Sequence, residues 1–301
     1  MINLQSLILS NKVKISNNTL QAVIRFFKTE LMDYFPEQEI NSMLYIVLDK
    51  TFDIRKKDVL LGSNRLFSES ELLKIIYIVK DLKKHKPLAY ILGEWEFYGL
   101  PFKINEHTLI PRPETEELVQ LILDENNKEN LSVLDIGTGS GCIAIALKKN
   151  RPNASVSAFD VSKQALETAK NNALLNDVAI HFQEIDILIP QELKNNYDII
   201  VSNPPYIPLK DINEMDKNVA DFEPHLALFV EDNNPLVFYK AIAEFAQNHL
   251  TKKGKLYVEI HEKLGNEVKA LFESVGFKEV VIVKDINEKD RIVKCLMDFS
   301  S

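Results

Sequence analysis

From Asn130 onward the chain alternates short apolar runs with helix-patterned segments, and this alternation restricts the fold more than any other feature. Strands joined through helices lie parallel, in a sheet covered by those helices. Strands are predicted at Ser132 to Ile136, Ser155 to Phe159, Ile180 to Glu184, the run from Tyr197 into Val201-Ser202, and Lys255 to Ile260. Helices are predicted from Cys142 to Lys149, around Leu166, Ala169 and Ala173, and up to His249 with Pro235 as the first helical residue. A last helix, Leu264 to Val275, stops at Gly276, and the runs Glu279 to Lys284 and Arg291 to Asp298 read as a terminal antiparallel pair. The fold class is α/β.

In open sheets of this kind ligands bind outside the carboxyl ends of the strands, where strand order reverses. Four motifs fall there. The fourth strand runs into Asn203-Pro204-Pro205-Tyr206. Each proline fixes φ and lacks a donor, and Asn203 and Pro204 are held extended because a proline follows each of them. The Asn203 side-chain oxygen and the Pro204 carbonyl thus offer two acceptors on a stiff frame. A planar NH2 group has the two protons to meet both. Read alone, the same residues also make a plain Pro-Pro turn, and Pro205 to Pro208 fits a PxxP peptide motif.

The first strand leads into Gly137-Thr138-Gly139-Ser140-Gly141, a loop that lets a ligand approach backbone and helix N-terminus closely. Cys142 stands where a dinucleotide fingerprint needs its third glycine, which disfavours a nicotinamide cofactor. Asp135 adds a carboxylate that repels a diphosphate and welcomes a cationic ligand. Asp160, about 20 residues past the loop, is placed to accept from ribose hydroxyls. Asp186, after the third strand, is placed to read an adenine amino group. Each acid alone is an ordinary cap or loop residue; three in order at successive strand ends describe a nucleoside site with a cationic end. His261 and Glu259, at the end of the fifth strand, read as structural.

Upstream the pattern is helical. Thr19 to Phe35 has helix spacing and Pro36 stops it; a second helix runs from Gln38 to Lys50. A third starts at Ser68 with a capping box to Glu71 and sets Leu72, Ile76, Val79 and Leu82 on one face. Residues 1–86 lack catalytic spacing and carry a net charge of +4 against −12 for the remainder, so this segment is expected to meet a partner. Residues 87–113 are aromatic and β-branched around a glycine turn, a hairpin connector. They end in Leu109-Ile110-Pro111-Arg112-Pro113-Glu114-Thr115-Glu116, a stiff segment before a helix from Thr115 to Glu125; Arg112 alone reads as one half of a salt bridge.

The overall net charge of −8 argues against tight nucleic-acid binding, which depends on cationic neutralisation of phosphates. There is no run of 18 apolar residues and Met1-Ile2-Asn3-Leu4-Gln5 lacks a signal-peptide pattern, so a cytoplasmic location away from membranes is expected. Cys142 and Cys295 stand in no disulfide or metal spacing and read as small buried residues, and no metal site is expected.

These motifs resemble class I methyltransferases, and among them the HemK/PrmC protein glutamine-N5 methyltransferases. The resemblance spans nearly the whole chain: the helical N-terminal part, the hairpin, Leu109 to Glu116, Asp135 to Gly141, Asn203 to Tyr206, and Phe222-Glu223-Pro224 with Ala227-Leu228. It implies a Rossmann-like domain over residues 114–301 with a seven-stranded, mostly parallel sheet in the order 3-2-1-4-5-7-6, and a substrate-recognition role for residues 1–86. It implies S-adenosyl-L-methionine held by Asp135, Gly137, Thr138, Gly139, Ser140, Gly141, Asp160, Asp186, Ile187 and Asn203. It implies a release factor glutamine held by Asn203, Pro204, Pro205, Tyr206 and Arg112. Two positions depart from the pattern: Ile187, where some relatives carry an aromatic residue against adenine, and Asp221, where a basic residue often sits. Asn-Pro-Pro-Tyr is shared with adenine-N6 methyltransferases of nucleic acid, and the core motifs with glutamine methyltransferases of ribosomal proteins. A protein that binds the cofactor without turnover is the non-enzymatic alternative.

Overall fold

The computed structural model describes residues 15–190 and 195–297. The expected strand end at Asp298 and the first 14 residues of the N-terminal segment lie outside them. Two compact units divide between Leu92 and Gly93.

The first unit holds helices Leu20–Leu31, Glu37–Phe52, Lys56–Leu60, Glu69–Leu82 and Leu88–Leu92. Its core is aliphatic and aromatic, with Leu20, Phe27, Leu31, Leu44 and Leu48 fully buried. The Thr19 hydroxyl caps the first helix by accepting from the Ala22 N–H at 3.3 Å. That helix ends at Leu31, short of the expected Phe35, because the residue before Pro36 is pushed out of helical geometry and Met32 to Tyr34 close a turn instead. The capping box at Ser68 forms as the spacing predicts, with the Glu71 carboxylate accepting the Ser68 N–H at 2.7 Å. The buried face of its helix is rotated from the expected one: Ile75, Ile78, Val79 and Leu82 are covered, while Leu72 and Ile76 lie at the margin.

The second unit opens with the hairpin β1 (Glu94–Phe97) and β2 (Leu100–Lys103). Tyr98 and Gly99, both at positive φ, make the two-residue turn whose twist matches antiparallel strands. Helix Pro113–Glu125 follows, starting two residues before the expected Thr115 because Pro113 occupies its first turn. Then come β3 (Ser132–Ile136), β4 (Ser155–Asp160), β5 (His181–Glu184) and β6 (Tyr197–Ser202), with helices Cys142–Asn150 and Lys163–Leu175 between the first three. The short parallel pair β7 (Ile207–Pro208) and β8 (Phe229–Val230) follows the corner after β6. Helix Val237–His249 leads to β9 (Leu250–Glu259), helix Gly265–Val275, β10 (Lys278–Lys284) and β11 (Asp290–Leu296). Pro235 lies in the turn before helix Val237–His249, since Leu236 is the cap. Gly276 ends the next helix in the left-handed conformation at φ 109°, as expected of a glycine there.

The seven-stranded sheet runs β10-β11-β9-β6-β3-β4-β5. Counted in chain order from β3 and read from the β5 edge, this is 3-2-1-4-5-7-6, the order the resemblance implies. β5, β4, β3, β6 and β9 are parallel; β11 is antiparallel to both its neighbours. Order therefore reverses between β3 and β6, and the carboxyl ends of those two strands open the crevice in which the site lies. Ile200, Leu256, Val258, Tyr239 and Phe272 are fully buried in the core that fixes these strand ends.

Candidate functional site

A cavity of about 320 Å³ lies at the carboxyl ends of β3, β4, β5 and β6, within the range of small-molecule sites. Its lining brings together Gly137, Gly139, Asp160, Asp186, Ile187, Asn203, Pro204 and Pro205, all singled out by the sequence. The walls also include the segment Glu106 to Leu109, Pro224, Leu226 and Ala227, and Phe238 and Ile242 from helix Val237–His249. Those were missed. The only signal for the last two was an i, i+4 pair, which is equally the mark of an ordinary core helix. Phe238 supplies an aromatic ring in the cavity that carries Ile187, the position at which the chain departs from relatives with an aromatic residue.

The glycine loop is held by hydrogen bonds from its own backbone N–H groups. Gly137 and Thr138 both donate to the Phe159 carbonyl at 2.9 Å, and Gly139 donates to Asp160 Oδ2 at 2.8 Å. Gly137, Gly139 and Gly141 all sit at positive φ. Asp160 Oδ1 accepts from the Ser162 N–H at 2.9 Å. Burial raises the Asp160 carboxyl above its usual range, and the three N–H groups around it oppose that shift. Asp186 accepts from the Leu188 N–H at 2.9 Å.

Asp135 is placed differently from the expectation. It is fully buried beneath the loop and does not line the cavity. Thr138 Oγ1 donates to its Oδ2 at 2.6 Å, while its Oδ1 has no hydrogen-bond partner among the described residues. Burial pushes this carboxyl up to about 7. Thr138, Ser140 and Gly141 also lie behind the lining. Ser140 is tied in through its carbonyl, which accepts from Asn172 Nδ2 at 2.9 Å. Asn172, fully buried, also bridges both backbone groups of Lys103, locking the hairpin to the loop's support.

Arg112 and Tyr206 do not line the cavity either. Arg112 donates to Glu223 Oε1 at 2.6 Å, and Glu223 is buried, accepting also from the Ile110 N–H at 3.2 Å. The salt-bridge reading of Arg112 is what its geometry displays, and it joins the Pro111-Arg112-Pro113 segment to Phe222-Glu223-Pro224. Replacing Arg112 with alanine strands a buried carboxylate. Because a third of the arginine side chain is exposed, the expected loss is about 2 kcal/mol, below the range for a fully buried pair, measurable by denaturant unfolding.

The corner after β6 leaves regular structure at Asn203 and re-enters it at Ile207. Asn203 Nδ2 donates to Thr115 Oγ1 at 3.3 Å, Thr115 Oγ1 donates to Glu259 Oε2 at 2.7 Å, and the Tyr206 hydroxyl lies 3.5 Å from Glu259 Oε1. The Tyr206 ring meets His261 edge-on, and burial raises its hydroxyl pKa. Burial lowers the His261 pKa, with the Lys263 charge assisting. Burial pushes the Glu259 carboxyl up to about 7 against the pull of the Thr115 hydroxyl and the Arg291 charge. Cys295 is buried as expected; Cys142 is only half-buried, at the first turn of its helix.

A glycine loop, a carboxylate and an Asn-Pro-Pro corner around one crevice form a site able to hold a nucleoside beside a planar amide. Residues 114–221 match the family described as Methyltransferase small domain. The chain is 50% identical over 272 residues to a release factor glutamine methyltransferase of Flavobacterium psychrophilum, covering 89% of this chain and 95% of the relative. A Bacteroides thetaiotaomicron protein of the same name is 39% identical, with 91% and 99% covered. Among solved structures, a methyltransferase from Pyrococcus furiosus superposes with a TM-score of 0.52 at 20% identity, covering 77% of this chain and 100% of that one, a likeness of fold. The T. thermophilus 16S rRNA N2 G1207 methyltransferase, solved with AdoMet and guanosine, superposes at 0.50 and 16% identity over 67% of this chain and 49% of its own. At the identity and coverage of the first two relatives, the chain belongs to the release factor glutamine methyltransferase family.

Proposed function

We propose that the protein transfers a methyl group from S-adenosyl-L-methionine to the side-chain amide nitrogen of the glutamine in the Gly-Gly-Gln motif of peptide chain release factors. The observation that carries this reading is the position of Asn203-Pro204-Pro205 on the same cavity as the glycine loop and Asp160. The names of the two relatives support the substrate.

The residues present fit the cofactor. Gly137 and Gly139 leave the lining without side chains, so a ligand meets backbone there, and Asp160 faces the same space. The Asp135 carboxyl lies buried beneath the loop, and a cationic ligand at that end would draw its raised pKa down and favour the charged form. In this reading Gly137, Gly139 and Asp160 hold the nucleoside, Asp186 and Ile187 border the adenine, and Phe238 supplies the aromatic face. S-adenosyl-L-methionine, when bound, supplies an electrophilic methyl group.

A glutamine amide nitrogen is a poor nucleophile, because its lone pair is delocalised into the carbonyl. The chain's task is therefore to hold both N–H groups and aim the nitrogen. Asn203 Oδ1 and the Pro204 carbonyl are the two acceptors. Such positioning lowers a barrier by up to about 7–11 kcal/mol. A strong base is not needed, since the nitrogen loses its proton readily once it becomes cationic. Tyr206 braces the corner from behind through Glu259, and Arg112 ties its own segment through Glu223 to the strand-end wall that carries Pro224.

Among the described residues no helix is long and apolar enough to cross a membrane. In this reading the reaction takes place in the cytoplasm, where a release factor substrate would be met. The test is to incubate the protein with methyl-labelled cofactor and, separately, a release factor, a ribosomal protein and DNA. Label on the release factor glutamine is expected; label on adenine refutes the reading. We assign the substrate-recognition role to the helical unit: a chain lacking residues 1–86 is expected to bind the release factor at least about tenfold more weakly, a loss of about 1.4 kcal/mol or more, with cofactor affinity retained. Equal affinity for the protein substrate would overturn that assignment.

A further inference from the structure

Glu259 is a buried carboxylate, 1% exposed, that the reaction described above does not use. It lies at the end of β9 and meets the corner after β6 only through other hydroxyls. Thr115, at the start of helix Pro113–Glu125 and itself 2% exposed, is the link to Asn203.

The direction of these bonds follows from counting protons. A threonine hydroxyl has one proton to donate and lone pairs to accept with. If Thr115 donated to Asn203 Oδ1, Glu259 Oε2 would lose its partner at 2.7 Å inside the protein. Hydrogen bonds to an ionised acceptor are about twice as strong as neutral ones, and a stranded buried acceptor costs more than a neutral contact at 3.3 Å returns. With Glu259 ionised, its state above about pH 7, the proton therefore goes to Glu259, and Thr115 is left as an acceptor. Only the NH2 end of the Asn203 amide can meet it, which turns Oδ1 away from Thr115.

The two orientations of an asparagine amide have nearly the same shape, so packing alone does not choose between them. The difference matters to a ligand: the reversed amide presents N–H to a substrate NH2, donor against donor. We propose that Glu259, acting through the Thr115 hydroxyl, fixes the orientation of the Asn203 amide so that its oxygen faces the amide nitrogen to be methylated. Both are positioning residues. The inference deepens the proposed function and rests on Asn203 meeting the acceptor amide.

The test compares Thr115→Val, Thr115→Ser and Asn203→Ala in the full chain, well above pH 7, where Glu259 is ionised. Thr115→Val keeps shape and removes the link. It is expected to lower kcat roughly 10- to 100-fold, a fraction of what losing a preorganised group outright costs, with the release factor KM and the cofactor dissociation constant little changed. Thr115→Ser restores the hydroxyl and is expected to restore kcat to within about threefold, less than 1 kcal/mol. Because Thr115→Val strands Glu259, the double variant Thr115→Val, Glu259→Leu replaces both polar partners and serves if the single one fails to fold. Acting through one bond, the pair is expected to lose no more kcat than Thr115→Val alone. Wild-type kcat in the folded single or double variant, with Asn203→Ala inactive, overturns the proposal alone. An active Asn203→Ala overturns the functional reading with it.

Discussion

Replacing Asn203 with alanine is expected to lower kcat for methyl transfer roughly 100- to 1,000-fold, the scale set by removing one preorganised group that binds the reacting atoms. Cofactor affinity is expected to change little. The reason lies in what the residue touches. Its Nδ2 is committed to Thr115 and its oxygen is the acceptor left for a substrate at the end of β6, on a backbone that Pro204 restricts. Alanine keeps that backbone, and with it the Pro204 carbonyl, so one of the two acceptors remains and the substrate NH2 is held by a single bond. The nitrogen then rotates out of line. The glycine loop and Asp160 make their own hydrogen bonds independently of this corner, so the nucleoside end of the cavity is untouched. Single-turnover rates with a release factor, beside calorimetric cofactor binding, check both halves. A variant whose kcat falls less than about tenfold, or whose cofactor affinity falls in parallel with the rate, removes Asn203 from the acceptor site.

How much of this site the sequence discloses depends on how local each feature is. Gly137, Gly139, Asp160 and Asn203 to Pro205 are legible because each sits at the end of a strand whose pattern is unmistakable, and a parallel sheet brings strand ends together. Tyr206 is one residue beyond the prolines, yet its ring turns to His261 and Glu259, 55 and 53 positions on. Nothing in the local pattern sets that direction. Arg112 finds Glu223, 111 positions away, for the same reason. Asp135 reads as a ligand-facing acid because it precedes the glycines, but it is an inward-facing residue of a strand covered on both sides, and burial takes it beneath the loop. Thr115 passes for an ordinary residue in the first turn of a helix; its link between Glu259 and Asn203 exists only once the helix lies across the strand ends. Periodicity finds elements, and tertiary contact decides which face of each is functional.

The three loop glycines differ in what they tolerate, and this separates stability from binding. All have φ between 56° and 83°, where a side chain costs about 1–2 kcal/mol. At Gly139 an added Cβ meets nothing within 4 Å. At Gly141, the cap of helix Cys142–Asn150, it comes within 3.0 Å of Ile145 Cδ1, 3.1 Å of Ala169 Cβ and 3.4 Å of Ala169 Cα. Ile145 can swing aside; the Ala169 atoms belong to helix Lys163–Leu175 and cannot without moving it. Overpacking of this kind adds about 1–3 kcal/mol to the conformational strain. Gly141→Ala is therefore expected to lower the unfolding free energy by about 2–5 kcal/mol, on the sum of those two effects. Gly139→Ala is expected to cost about 1–2 kcal/mol and to act chiefly on the ligand, because its Cβ enters the cavity lining. Its cofactor affinity falls more than its stability. Denaturant unfolding and cofactor titration on the two variants decide the matter: equal stability losses would show that helix Lys163–Leu175 yields to the new methyl group, and that the close approach of glycine loop and helix is not what requires glycine at position 141.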